Sequence, residues 1–192
     1  QARGEALGFK IEEYVANHRG LTLARIDSIL QSRGIHGVML LPSWESPDFS
    51  ALQWERYAGV YADYNRMTPS LHAVCSDHYQ STGIALETVR NLGYRRPGIF
   101  IERGRNERLE RRYTAAFSGF RGDDAAELPV PPLLTETLSR SAFEKWFRRF
   151  QPDVVLCHFT EALDWMEGCG ARVPETHGFV SLNLVNKTRP CA

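Results

Sequence analysis

The sequence has no excess charge of either sign: 23 Lys and Arg stand against 23 Asp and Glu in 192 residues, and the pI is about 7.2. Binding to a polyanion or to an anionic membrane surface draws its free energy from surplus Lys and Arg, so a free-standing nucleic-acid reader or a membrane-surface protein is excluded. Long apolar runs are missing too. The longest, such as VMLLP at 38–42 and DVVLC at 153–157, fall far short of the roughly 18 to 20 residues of a membrane-spanning helix. Cysteine is scarce and scattered: Cys75, Cys157, Cys169 and Cys191 form no CxxC pair. That usage fits free thiols in a reducing compartment rather than a disulfide framework. No basic-then-apolar signal segment is present, and the opening QARGEALGF reads as the last turns of a helix, so a fragment is expected.

Catalytic motifs are equally absent. There is no GxSxG elbow, no GxxxxGK[ST] phosphate loop and no HExxH. The GCG at 168–170 follows a predicted helix, whereas a dinucleotide fingerprint needs a strand before it and a helix after it; it reads as a helix C-cap. Cys75 and His78 stand in CxxH spacing and Cys157 precedes His158, but no second pair lies at ligand spacing for a zinc site. The carboxylates Asp63, Asp77, Asp153 and Asp164 fall on different elements, so spacing does not pair them for acid/base work. The expectation is a chain with no catalytic residues, no metal and no cofactor.

What is present is alternation of short apolar runs with helical stretches. Residues 1–7 read as a helix stopped by Gly8, and 9–16 as a strand. Thr22 caps a helix through 33 with Leu23, Ile26 and Leu30 inside and Gly34 as its stop. HGVMLLP at 36–42 has the pattern of a strand buried on both faces. A short helix near 49–55, a strand at 57–64 and an extended piece at 71–74 follow. Asp77 caps a helix to Leu92, with Ile84, Ala85, Thr88, Val89 and Leu92 on one face and Gly93 as its stop. Then come a strand at 97–102, a helix over 107–120, a loop to 132, a short strand in PLLTET, a helix over 139–150, a strand in DVVLCH, a helix over 160–169 and a strand at 178–182. Strands separated by helices of this length give right-handed βαβ units and parallel sheets. The fold class is α/β.

Ligands of open parallel sheets bind outside the carboxyl ends of the strands. Here those ends carry Asn17 and Arg19, Ser43 and Trp44, Asp77 to Gln80, His158 and Asn183. Aromatic faces flanked by amide, hydroxyl and charged groups suit a small polar ligand such as a sugar or nucleoside.

These residues also resemble a family. VCSDHYQSTGIALETVRNLGYRRPGIFI at 74–101 is similar to the crossover segment of lactose-repressor-family (LacI-type) transcription regulators. RGIHGVMLLP at 33–42, PDVVLCHFTEALDWMEGCGARVPE at 152–175 and HGFVSLN at 177–183 follow in the family's order. The resemblance spans about the whole chain. It implies a periplasmic-binding-protein-like effector domain of two doubly wound, Rossmann-like parallel-sheet subdomains. The first is 1–93, lacking its first strand, and the second is 94–192, lacking its return crossover.

Carried over position by position, the effector contacts implied are Asn17, Gln80, Arg112, His158 and Asn183, and the strand-end reading adds Ser43 and Trp44 to the expected effector-binding set. His158 stands at the end of its strand where the family has a polar residue, and Asn183 replaces the usual Asp of "GfD". The clamping arginine of an RxxGF helix falls on Tyr113 before Phe117, with Arg112 one place off. Further implications are a small effector, carbohydrate by class, a cytoplasmic homodimer without membrane contact, and operator DNA met only through a helix-turn-helix outside this chain. An extracytoplasmic sugar-binding protein of a transport system shares the fold and is the alternative.

Overall fold

Capping side chains and left-handed glycines mark several helix ends in the computed structural model, which describes residues 2–18, 20–43, 48–64, 68–120 and 130–183. Backbone contacts group the chain into two units, Gln1–Ser76 and Asp77–Ala192, each described here by itself.

In the first unit, α1 (Ala2–Ala6) runs into Gly8 at φ +82°. Thr22 Oγ1 accepts the Arg25 N–H at 3.3 Å to start α2 (Leu23–Ser32), and Gly34 at φ +67° follows its end. Strands β1 (Gly37–Leu40), β2 (Ala58–Tyr61) and β3 (His72–Ala73) pair in parallel in that order, with Leu40 opposite Tyr61. Ile26 and Leu30 of α2 pack with Leu52 and Tyr57, and Leu40 and Tyr61 pack with Val38 and Trp54.

Asp27 shares the inner face of α2. Its carboxylate accepts from the Gln53 N–H at 3.0 Å, the Tyr57 hydroxyl at 2.9 Å and Gln31 Nε2 at 2.5 Å. Burial pushes this carboxyl up, but the three hydrogen bonds outweigh it and hold the group below its ordinary range. The Asp27 side chain thereby fastens the segment before β2 to α2.

Three expectations are corrected here. Residues 9–16 form no strand: they are irregular up to a turn that begins at Ala16 and join no ladder among the described residues, and a strand is defined by its neighbour. β1 is buried on one face only: Leu40 is inside, while Met39 is 65% exposed on the other face. The helix near 49–55 reduces to a 3-10 turn, Trp54–Arg56.

The second unit opens with α3 (His78–Asn91), whose N-cap Asp77 accepts the Gln80 N–H at 3.0 Å; Gly93 at φ +101° stops it. Its buried residues are Thr82, Leu86 and Val89, whereas Ile84 and Leu92 face solvent. The inner stripe is rotated from the one expected because α3 packs on α5. That packing also groups α3 with the second unit, whereas the sequence division at residues 93 and 94 places it with the first.

β4 (Pro97–Glu102) leads into α4 (Arg103–Arg108) and α5 (Arg112–Gly119). The single helix expected over 107–120 is broken. Glu110 and Arg111 take left-handed φ values of +55° and +59° and turn the chain between two short helices. Of the loop expected to 132, residues 121–129 lie outside the described residues. β5 (Leu133–Thr135), α6 (Arg140–Phe150), β6 (Val154–Cys157), α7 (Glu161–Gly168) and β7 (Gly178–Ser181) follow. Cys169 and Gly170, the latter at φ +93°, close α7, so the GCG is the C-cap the sequence indicates.

The sheet order is β5-β4-β6-β7, all parallel. The chain goes from β4 to one side, returns past it to β6 and continues outward to β7, so the strand order reverses at β4 and β6. Right-handed crossovers of opposite direction place helices on opposite faces. α6 and α7 accordingly pack together. Their face holds the aromatic core of Phe100, Phe143, Trp146 and Phe147, with Val155, Cys157 and Met166. Gly98 admits the α6 helix to β4: a Cβ there would stand 2.5 Å from Trp146 Cη2.

The GYRRPG segment is fixed by one carboxylate. Asp153 accepts the backbone N–H groups of Arg95 at 2.6 Å and Arg96 at 2.9 Å. The two guanidinium groups cap helix ends, Arg95 on Arg90 O at 3.1 Å and Arg96 on Phe150 O at 2.7 Å. Asp153→Ala strands both N–H groups and is expected to cost about 2 kcal/mol. Urea denaturation checks this: the midpoint falls with an unchanged slope, and an unmoved midpoint contradicts the pinning role.

Candidate functional site

The carboxyl edge of the second sheet is where its polar side chains gather. Side chains alternate along β6, and Val155 and Cys157 belong to the core under α6. His158, next in the chain, points to the opposite face, toward α5. Its ring meets that of Tyr113 edge-on at 4.9 Å, and Tyr113 in turn holds His78 of α3, hydroxyl to Nδ1 at 2.8 Å. β4 ends beside it at Glu102, and β4 with β6 is the pair where the strand order reverses, the place at which open α/β sheets take ligands.

His158 is 6% exposed, yet neither ring nitrogen has a hydrogen-bond partner. Burial, reinforced by the charges of Arg105 and His78, pushes the imidazole down to about 3. It is therefore neutral near pH 7 and offers one N–H donor and one lone pair. A buried polar group without a partner costs about 1 to 3 kcal/mol, so such groups are rare outside functional sites. Thr135 Oγ1, at the end of β5, is also buried without a partner.

Arg105 of α4 lies over the Phe159 ring at 5.6 Å and 3.8 Å from Glu102. Behind it, buried Asn106 donates to Thr114 Oγ1 at 3.0 Å and ties α4 to α5 across their break. The neighbouring Cys157 thiol is pushed up to about 12, chiefly by burial, and stays protonated.

The residues singled out from the sequence fall as follows. In the second unit, His158 and Asn183 follow adjacent strands β6 and β7, and Asn183 is half-buried with its N–H on Ser181 Oγ at 3.3 Å. Arg112 begins α5 beside Tyr113 and pairs with Glu110 at 3.3 Å. Gln80 lies exposed in the first turn of α3. In the first unit, Asn17 is in a left-handed turn at φ +61°, its N–H on Leu21 O at 2.8 Å. Ser43 is half-buried after β1. Trp44 and Arg19 lie outside the described residues.

Sequence reasoning missed Arg105 and the Tyr113–His78 pair as parts of the site. The i,i+3 spacing of Glu102 and Arg105 was the available signal for the first; nothing local connects residues 78, 113 and 158. Among the described residues no group of three or more His, Cys, Asp or Glu converges as a metal site, and no helix is long and apolar enough to cross a membrane.

No family model and no curated protein matches the chain. Solved structures do. A LacI family transcriptional regulator from Arthrobacter sp. FB24, in complex with lactose, superposes with a TM-score of 0.67 at 13% identity, over 97% of this chain and 71% of that one. A transcription regulator like protein from Staphylococcus haemolyticus gives 0.66 at 15% identity, over 96% and 69%. A LacI family transcriptional regulator from Lactobacillus casei with bound glucose gives 0.52 at 14% identity, over 94% and 72%. The chain has the periplasmic-binding-protein-like fold of LacI-family transcriptional regulators.

Proposed function

We propose that this chain is the ligand-sensing domain of a DNA-binding transcriptional regulator, and that its effector is a small polar metabolite of the sugar class. The observation that carries the reading is His158, buried with two unpartnered ring nitrogens where the strand order reverses. A hydroxyl-bearing ligand supplies an acceptor for the imidazole N–H and a donor for its lone pair. Lactose and glucose in two structures of the same fold support the carbohydrate class. His158, Asn183, Arg112 and Gln80 contribute from the second unit. Asn17, Ser43 and Trp44 contribute from the first, in the inter-subdomain cleft that the family resemblance implies.

The balanced charge leaves operator contact to a helix-turn-helix outside this chain. The remaining parts of the proposal are a cytoplasmic homodimer, no catalytic activity and an effector that acts by differential affinity for two arrangements of the dimer. An extracytoplasmic binding protein would use the same fold. Free Cys75, Cys157 and Cys169 favour a reducing compartment and hence the regulator.

Isothermal titration of the chain against glucose, lactose and a panel of sugar acids and nucleosides tests the reading. Saturable binding is expected, and His158→Ala or Asn183→Ala should weaken it by about 1 to 3 kcal/mol with the fold intact. Undiminished binding in both variants removes these residues from the site, and absence of binding by the whole panel contradicts the sensing function.

A further inference from the structure

An imidazole whose two nitrogens make no hydrogen bond is not held in one plane by polar contacts. The last torsion of a histidine side chain is broad and roughly two-fold, so packing alone sets where the nitrogens of His158 point. Tyr113 supplies that packing. Its ring stands at 87° to the imidazole with centroids 4.9 Å apart, the edge-on geometry that aromatic pairs favour. Tyr113 is itself held. It is 2% exposed on α5, a helix of eight residues that starts from the left-handed turn at Glu110 and Arg111. Its hydroxyl and His78 Nδ1 are hydrogen-bonded at 2.8 Å, and those two rings lie 4.9 Å apart at 37°. His78 is the first residue of α3, which packs on α5. Rings from α3, α5 and the end of β6 thus stand in a row, and the last presents the unpartnered nitrogens.

We propose that Tyr113 is the positioning residue of this site: tied to His78 through its hydroxyl, it fixes the plane of the His158 imidazole, so that both ring nitrogens meet the effector's hydroxyl groups in one geometry. The inference rests on the sensing function proposed above and assigns a residue that acts on the effector through His158. Hydrogen bonds weaken steeply once the angle at the hydrogen falls toward about 120°, so a ring that turns loses much of the directional gain. A ring already fixed spares the effector the cost of ordering it, which amounts to about two- to tenfold in affinity. The phenol ring alone blocks one side of the imidazole. The hydroxyl bond to His78 is what keeps that ring from turning or sliding with the short helix that carries it.

The test titrates the full chain with glucose, lactose, glucuronate and adenosine and follows the tightest binder in variants. Tyr113→Phe keeps the ring against His158 and removes the hydroxyl, whereas His78→Phe removes the same hydrogen bond from its other end. Each should weaken binding by about two- to tenfold. The double variant should lose no more than the weaker-binding single one, because both changes cut one link. His78→Asn, which returns a polar group close to the place of Nδ1, should recover part of the loss. In the ligand-free protein the His158 ring should give one sharp set of NMR signals, broadened or doubled in Tyr113→Phe and His78→Phe, a change that a merely structural role would not produce. Melting curves report whether each variant folds, and the two His78 variants decide the matter if Tyr113→Phe does not. Affinity unchanged in the single variants overturns this inference while leaving the sensing function standing. Losses that add in the double variant overturn it equally, since the two residues then act separately. If none of the four ligands binds the unsubstituted chain, both fall.

Discussion

Acidification from pH 7 to pH 4 should remove about 3 kcal/mol of folding stability through His158 alone. The folded imidazole is pushed down to about 3 from an ordinary value of 6.5. Between those values the unfolded chain takes up a proton that the folded chain refuses. The contribution is therefore intact above about pH 6.5, declines as the pH drops by up to about 1.4 kcal/mol per unit, and levels off near the folded value. His158→Phe keeps a ring against Tyr113 and removes the titration. Urea unfolding of both proteins across this range should show the gap between them shifting steadily in favour of the variant as the pH falls. Parallel loss in the two proteins would mean that the ring is not held neutral, and the burial argument would fail with it.

Phe143→Ala should cost about 3 to 5 kcal/mol. Phe143 is fully buried on α6, with Phe100 at 5.5 Å, Phe147 and Trp165 at 5.6 Å and Trp146 at 5.7 Å between ring centroids. Four aromatic neighbours around one site cannot all shift inward to fill the space a phenyl ring leaves, so most of the cavity persists. A loss of this size is a large part of the roughly 5 to 15 kcal/mol that separates folded from unfolded domains, and partial unfolding at 37 °C is expected. Phe150→Ala, at the half-buried end of the same helix, should lose much less. A midpoint shift for Phe143→Ala no larger than that of Phe150→Ala would contradict the packing described.

How legible these features were depended on how local their causes are. Thr22, Asp77 and Ser139 cap helices, and Gly34, Gly93 and Gly170 follow helix ends, as their types and spacing indicate, because a cap involves only a few neighbouring residues. The break at Glu110 and Arg111 had no such sign: two charged residues take a left-handed conformation that glycine or asparagine would have announced. On α3 periodicity defines a stripe, but the helix against which it packs decides which stripe is covered. Thr82 is in it, its hydroxyl satisfied by His78 O at 2.6 Å. For β1 a continuous apolar run looks the same whether one face or two are filled, so the run itself does not distinguish them.

The site shows the same division. His158 and Asn183 were visible as polar residues at strand ends, since topology alone brings the carboxyl ends of parallel strands to one edge. The burial of His158, its contact with Tyr113 and the cation of Arg105 beside it depend on how α3, α4 and α5 meet over that edge, and no residue spacing expresses that. The pinning of the GYRRPG segment at 93–98 had no local sign, because the Asp153 carboxylate that closes on the Arg95 and Arg96 N–H groups comes from a distant part of the sequence.

The most direct test of the central claim, that a ligand completes the hydrogen bonding of His158, is the nitrogen NMR signal of that imidazole during a titration with a sugar or sugar acid that gives calorimetric binding. Both ring nitrogens should move, one toward a stronger donor and the other toward an engaged acceptor, and their shifts should saturate at the concentration where the heat of binding saturates. Ring signals that stay fixed while the heat develops would place the ligand elsewhere and contradict the account.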